Sequence, residues 1–392
     1  MQKTRRTWTL GFSSALLLLS WVVAERASAQ EESPISIELE TRAEYNDNLF
    51  LAGSGEERDL LFSVFPKFTV DLVTVPVDLQ IKYAPQFVLP VNHFDDPQVR
   101  RILHFGELTA VSELSSGLQL RLRDLAAAIP VSFGTPDDNS PTLEQSNMLS
   151  FEPSQTLEFG GRTDVETTLR ANRFDTNVTS GDRTDFGGSV RVVREFHPMV
   201  TFGVRGHASR QMFDDSSVTN TLTYGFRGEP TFTFSPRLSV TAGGGVEWLR
   251  FDGGISSFDS QYDIRLKYEL DEESYAEIKF VQAFLTDSQA RPVNVRQLSA
   301  KLDRTFSPRT RTGLEVGYGW FDQVAADPLT GVTQQATDTL LTIRPSLWYT
   351  LSDDLVLQAA YSLGLNRGEN AGNDFSYNQF FVGATYTFWR GG

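Results

Sequence analysis

The chain has 392 residues, 35 Lys and Arg against 50 Asp and Glu, a formal net charge of −15, and no cysteine. The acidic balance argues against nucleic acid, whose phosphates need a basic footprint, and the missing cysteines exclude disulfide frameworks, thiolate metal sites, cysteine nucleophiles and a lipoprotein anchor. Mean hydropathy is −0.26, and beyond residue 30 no stretch approaches the roughly eighteen consecutive apolar residues of a helical membrane span.

The first residues read as an export signal. Lys3, Arg5 and Arg6 precede a mostly apolar run from Leu10 to Ala24, and Ala27-Ser28-Ala29 fits a small-x-small cleavage pattern, so the mature chain is expected to start at Gln30. An uncleaved anchor is the competing reading, but the run is short for a span and Glu25 and Arg26 follow it at once. Loss of residues 1–29 removes four basic residues and one acidic one, leaving 31 against 49 and a net charge of −18.

From Ile35 onward one unit repeats. About ten residues alternate apolar with polar, a short turn follows, about ten more alternate, and a longer polar loop comes next. In the first such stretch Ile35, Ile37, Leu39, Ala43 and Tyr45 point one way, while Ser36, Glu38, Glu40, Arg42 and Glu44 point the other. Eighteen strands are predicted: 35–45, 60–72, 77–89, 103–114, 118–125, 147–159, 163–173, 184–195, 199–211, 221–234, 238–250, 259–270, 274–284, 295–306, 310–320, 338–349, 355–365 and 377–389. The fourth, fifth, thirteenth and fourteenth alternate least regularly, so sixteen is the alternative count. A soluble sandwich also alternates, but not at nearly uniform length over a whole chain. The pattern predicts an all-β fold, a single antiparallel up-and-down transmembrane β-barrel over residues 30–392.

The connections alternate in length. Short turns fall at Thr74–Pro76, Ser115–Gly117, Gly160–Arg162, Glu195–Pro198, Ser235–Arg237, Asp271–Glu273, Ser307–Arg309 and Leu351–Asp354, and these are expected in the periplasm. The longer loops, such as 46–58, 90–102, 126–146, 321–337 and 366–376, are expected outside the cell, with both termini periplasmic and the barrel in a bacterial outer membrane. Phe234-Ser235-Pro236-Arg237 matches Phe306-Ser307-Pro308-Arg309, and Phe196-His197-Pro198 is a looser copy. At the other ends Phe94-Asp95, Phe174-Asp175, Phe213-Asp214, Phe251-Asp252 and Phe321-Asp322 recur, reading as an interfacial aromatic followed by a loop acid. Five prolines, Pro66, Pro85, Pro153, Pro230 and Pro345, fall mid-strand on the apolar face, where bulges are expected to accommodate them.

Strand parity assigns both signs of charge to the inward face. The basic candidates for a pore lining are Lys67, Lys82, Arg121, Arg123, Arg170, Arg191, Arg205, Arg227, Arg265, Lys267, Arg311 and Arg344, interspersed with acids such as Glu107, Glu152, Glu166, Glu229, Glu247, Glu277 and Asp303. Two readings follow: a lumen knitted by cross-strand ion pairs, or an arginine-lined path for an anionic solute such as an acidic polysaccharide. A barrel of this size encloses more than its side chains fill, so a lumen or a plug is expected. The first strand follows the cleavage site directly, which leaves no N-terminal plug domain; the loop 126–146 could instead fold inward. Of four histidines, His93 and His104 flank one outer loop near Asp95, Asp96 and Glu107, a weak candidate for a hydrolytic or metal site. No catalytic residue, cofactor or metal is assigned. The acidic loops could hold cations that bridge to lipopolysaccharide, although their spacing matches no calcium motif.

Near the C-terminus, Gly383, Tyr386 and Phe388 carry the spacing glycine, two residues, aromatic, one residue, aromatic. This resembles the terminal signal that the outer-membrane insertion machinery reads by strand pairing, although Trp389-Arg390-Gly391-Gly392 extends past the final aromatic. Glu44-Tyr45-Asn46-Asp47-Asn48-Leu49-Phe50, followed by Asp59-Leu60-Leu61-Phe62-Ser63-Val64-Phe65-Pro66, is similar to a family of bacterial outer-membrane β-barrel porins in which such a loop precedes a proline-containing strand. The resemblance covers about twenty-five residues. It implies a link to exopolysaccharide production and export, and exopolysaccharide or its export proteins as partners, and it transfers no ligand residue. The expected function is a passive channel or the outer-membrane component of surface-polysaccharide export. A non-conducting barrel that docks surface polymer through acidic loops, and a hydrolase at His93 and His104, are the alternatives.

Overall fold

The computed structural model describes residues 35–49, 57–74, 77–95, 101–115, 117–130, 143–176, 182–216, 219–252, 256–286, 292–326, 333–368 and 374–390. Residues 1–29, where an export signal is expected, and residues 131–142 of the 126–146 loop lie outside the described residues. The strands are β1 (Ile35–Asn46), β2 (Asp59–Thr74), β3 (Val77–Pro90), β4 (Arg101–Ser115), β5 (Leu118–Pro130), β6 (Leu143–Phe159), β7 (Thr163–Thr176), β8 (Arg183–His197) and β9 (Val200–Phe213). They continue as β10 (Thr221–Ser235), β11 (Leu238–Phe251), β12 (Ser256–Glu269), β13 (Tyr275–Thr286), β14 (Pro292–Ser307), β15 (Thr310–Ala326), β16 (Thr333–Ser352), β17 (Leu355–Gly368) and β18 (Phe375–Arg390). All eighteen predicted strands are present, so the count of sixteen falls away.

Each strand pairs antiparallel with the next, and β18 returns to pair with β1. Closure leaves no sheet edge, which is the condition for a sheet whose outer surface is not wetted. The two faces differ as the period of two demands. Phe226, Leu169 and Ile278 stand on the convex face at 57%, 58% and 52% exposure, with a continuous belt of Phe, Leu, Val and Tyr around them. On the concave face the converging polar side chains cover one another, and Asp303 and Glu229 are buried. A water-soluble fold would bury the first set and expose the second.

Several strands run further toward the long loops than alternation predicts. Pairing continues from Ala126↔Asn147 to Pro130↔Leu143 and from Phe321↔Asp338 to Ala326↔Thr333. Part of the expected loops 126–146 and 321–337 is therefore ladder. Beyond the apolar belt no face needs to be greasy, so backbone hydrogen bonds alone hold the strand and the period of two disappears from the sequence.

The expectation of bulges at the five prolines is overturned. Register runs unbroken past each of them. On one side only, two or three rungs are missing: Pro66 and Pro85 stand opposite one another in a gap between Val64↔Phe87 and Phe68↔Tyr83. Shorter gaps flank Pro153 toward β7, Pro230 toward β11 and Pro345 toward β17. A missing N–H removes a rung without inserting a residue, so no bulge is needed.

Five bulges sit at the short turns, at Glu113/Ser115, Glu195/His197, Thr233/Ser235, Thr305/Ser307 and Thr350/Ser352. The repeated Phe-Ser-Pro-Arg turn has a local cause. The Ser235 hydroxyl accepts the N–H groups of Arg237 and Leu238 at 3.2 and 3.1 Å, and the Ser307 hydroxyl accepts that of Arg309 at 3.3 Å, while proline costs no donor in the turn. Gly160 and Gly161 both take positive φ (61° and 69°), the geometry of a tight hairpin turn that matches strand twist.

The seam between the first and last strands is fastened at the long-loop end by the Tyr45-Asn46-Asp47-Asn48 segment. The Asp47 carboxylate accepts the Asn378 backbone N–H at 2.5 Å and its side-chain amide at 2.6 Å. The Asp47 N–H donates to the Asn378 carbonyl at 3.1 Å. Fully buried Asn48 donates to the Ser376 carbonyl at 2.8 Å. At the other end Ile37 pairs with Trp389 and Glu38 with Thr387, leaving Phe388 as the extra residue of a bulge. Tyr386 and Phe388 meet edge to face there at 4.8 Å between ring centroids. Gly383 lies opposite Arg42, where a Cβ would come within 2.7 Å of the Thr41 carbonyl oxygen.

Candidate functional site in the barrel interior

All twelve basic candidates fall on the concave face. Eight have a carboxylate within 4.0 Å: Lys67 with Glu40 (2.5 Å), Arg123 with Glu107 (2.8 Å), Arg170 with Glu152 (2.8 Å) and Arg191 with Glu229 (3.0 Å). The rest are Arg227 with Glu229 (2.5 Å), Arg265 with Glu277 (3.8 Å), Lys267 with Glu269 (2.8 Å) and Arg311 with Asp303 (2.6 Å). Three others face a carboxylate only by register: Lys82 opposite Glu107, Arg121 opposite Glu152 and Arg344 opposite Glu315. Most of the interior charge is thus neutralised in place, each partly solvated pair contributing about 0–1 kcal/mol.

The exception lies on β8, β9 and β10. Register sets Arg191 opposite Arg205 and Arg205 opposite Arg227, so three inward arginines stand in one row across three adjacent strands. Like charges directly opposed destabilise a sheet. Glu229 offsets the outer two, holding Arg191 and Arg227 together, and Glu166 stands 3.7 Å from Arg191. Glu229 reaches Arg191 across the width of β9, passing over Gly203, its register partner. Glycine recurs on the inward positions of this wall. The His207 ring lies over Gly225, and a Cβ at Gly245 would come within 2.4 Å of the Arg227 Cβ. A recess of about 420 Å³ lies in this wall, and its lining includes Gly187, Gly188, Arg170, Arg205, Arg227 and His207. His207 in turn meets Glu247 at 3.1 Å. Sequence parity put these arginines on the inward face; it missed Glu229 as the hub and the recess, for which the pair Gly187-Gly188 was the available signal.

The proposed grouping of His93 with His104 does not form. His104 stands on the convex face against Tyr83, whose hydroxyl lies 3.0 Å from its Nδ1, and Glu107 points inward to Arg123. His93 belongs instead to a clamp at the long-loop rim. Buried Asp59 accepts the N–H groups of Leu60, Val91, Asn92 and His93. The His93 ring meets Asp59 at 2.8 Å through Nδ1 and Glu57 at 2.5 Å through Nε2. Burial alone would push the Asp59 carboxyl up, but the donors from Asn92, His93 and Leu60 hold it below the usual range; the Asp59 hydrogen bond, with Glu57, raises the His93 imidazole. Among the described residues no group of three or more His, Cys, Asp or Glu has the arrangement of a metal site. Three of the recurrent Phe-Asp pairs set their acid against an arginine. Asp214 accepts from both terminal nitrogens of Arg173 at 2.9 and 2.7 Å, Asp252 pairs with Arg210 at 3.2 Å, and Asp322 with Arg296 at 3.0 Å.

No protein-family model and no curated protein sequence matches the chain, so the resemblance carried by residues 44–66 does not place it in a family. Solved structures do match in fold. OpdQ of Pseudomonas aeruginosa is similar at 13% identity over 91% of this chain and 99% of that one, with a TM-score of 0.50. The outer membrane protein opdK of Pseudomonas aeruginosa gives 12% identity, 90% and 99% coverage, and a TM-score of 0.50. The FrpB iron transporter of Neisseria meningitidis gives 8% identity, 85% of this chain, 62% of that one, and a TM-score of 0.52. The chain is a closed 18-stranded antiparallel β-barrel of the outer-membrane porin fold.

Proposed function

We infer that the protein is an outer-membrane channel that lets hydrophilic solutes pass through the barrel lumen. The observation that carries this reading is the reversal of faces: a belt of exposed Phe, Leu and Val outside and a charged, mutually paired lining inside. Such a wall is stable with hydrocarbon outside and water inside, and transport then needs no chemistry beyond replacing part of a solute's hydration. The short turns face the periplasm, and with them both ends of the described barrel. The Gly383, Tyr386 and Phe388 strand is read by the insertion machinery. The Tyr-Asn-Asp-Asn loop and proline strand support a role in surface-polysaccharide export, with the polymer or its export proteins as partners, and the outer rim meets lipopolysaccharide.

Planar-bilayer recording on the purified mature chain tests the channel directly. Stepwise, ohmic conductance increments are the expected result. A barrel that inserts and shifts mobility on heating, yet passes no current at any applied voltage, overturns the channel reading and leaves a docking barrel. Loss of surface polymer on deletion of the gene, with general permeability unchanged, is the result expected of export.

A further inference from the structure

We propose that Arg205 and the recess around it form a binding subsite for an acidic sugar, one carboxylate on a polyhydroxylated ring. The proposal rests on the channel reading and names the solute class it favours. Arg205 has no carboxylate within 4.0 Å among the described residues, and its Nε is buried without a hydrogen-bond partner. It is flanked on both sides by other guanidiniums; Glu229 is hydrogen-bonded to Arg191 and Arg227 and attracts Arg205 only at longer range, and Glu166 stands beside Arg191. For stability alone this position favours a neutral residue. A cation with no carboxylate in contact and a buried, unpartnered Nε points to a ligand that supplies the close negative charge.

The rest of the recess says what surrounds that charge. Its lining includes Thr168, Asn172, Ser189, Ser209, Gln211 and Gln261, neutral groups that both donate and accept. The Asn172 side-chain oxygen is buried without a partner. The one acid of the lining, Asp185, is charge-paired with Arg183 at 3.4 Å, although its Oδ1 makes no hydrogen bond. One unmatched guanidinium among hydroxyls and amides fits one carboxylate among hydroxyls. It fits poorly a bare phosphate, which would leave the neutral groups unused, and a neutral sugar, which would leave the charge unmatched. The volume is that of a small-ligand pocket.

Calorimetric titration of the detergent-solubilised mature chain with sodium glucuronate, glucose and sodium phosphate tests this without requiring current. Glucuronate is expected to bind at least tenfold more tightly than either comparison solute. Arg205→Gln is expected to weaken it tenfold or more while keeping or raising the unfolding midpoint, because a repelled charge is removed. Arg311→Gln, in a paired position elsewhere in the lumen, is expected to leave binding unchanged. The double variant Ser209→Ala, Gln261→Ala keeps all three arginines and is expected to lose affinity several-fold, which reads the site even if Arg205→Gln folds badly. Equal affinity in Arg205→Gln, equal binding of glucose, or phosphate binding as tightly as glucuronate overturns the proposal. An open pore without glucuronate binding sinks the subsite alone; binding without conductance sinks the channel alone.

Discussion

Replacing Asp47 by alanine should loosen the seam between β1 and β18 without touching any other strand pair. Two hydrogen bonds end on that carboxylate, from the Asn378 backbone at 2.5 Å and the Asn378 amide at 2.6 Å. Bonds to a charged acceptor contribute about 1.5–3 kcal/mol each when protected from water. The site is half-buried at the rim, so the low end applies, and the pair together stabilises the seam by about 2–3 kcal/mol. Even 2 kcal/mol corresponds to roughly a 30-fold change in the closing equilibrium. The backbone bond from the Asp47 N–H to the Asn378 carbonyl survives the substitution, so the strands stay in register. Asp47→Asn keeps an acceptor for one donor and should cost about half as much. The assay is equilibrium urea unfolding in lipid vesicles, with the folded fraction read from unheated gel mobility. Asp353→Ala, in an exposed turn between β16 and β17, serves as the control. An Asp47→Ala midpoint within about 0.5 kcal/mol of wild type, the range of ordinary surface changes, would refute the latch.

The rim clamp predicts a stability maximum in pH. His93 is raised above its ordinary 6.5, so its contribution is complete below that value and fades as pH rises through the raised pKa. Asp59 is lowered below 3.8, so its contribution is present above that value and is lost as pH falls through the lowered pKa. Unfolding temperatures measured across pH should therefore peak between about 4 and 6.5, set by those two ordinary values, and His93→Ala should flatten the alkaline limb and shrink the acid limb, because its ring is one of the donors that hold Asp59 low. The turn glycines should separate by space rather than by backbone angle. Gly160→Ala meets nothing within 4 Å and pays only the positive φ, about 1 kcal/mol. Gly117→Ala drives a Cβ to within 2.1 Å of the Thr156 carbonyl oxygen, so refolding yield into detergent should fall for Gly117→Ala and hold for Gly160→Ala.

Strand number and facing were legible because a period of two survives wherever one face meets hydrocarbon and the other water, as in the Leu222–Phe234 stretch. The Phe-Ser-Pro-Arg turns were legible because a serine cap and a proline leave a local signature. What alternation could not give was height. Arg191, Arg205 and Arg227 share a row only through the registers of two strand pairs, and each register depends on turn geometry that no single strand encodes. Glu229 meets Arg191, 38 positions away and across the width of β9, a contact with no sequence period. His93 and His104 looked adjacent around one loop, yet parity puts His104 on the apolar wall, a reading the alternation of β4 was too irregular to support. The Pro66–Pro85 opposition was invisible for the same reason: neither proline is informative until the register of β2 on β3 is known.

Those prolines have a mechanical consequence. A cylinder whose every rung is intact is stiff in cross-section, because flattening it must bend each strand pair against its hydrogen bonds. Here the rungs are missing at mid-height along four lines, between β2 and β3, β6 and β7, β10 and β11, and β16 and β17. The wall is creased rather than uniform, and its resistance to flattening is lowest along those lines.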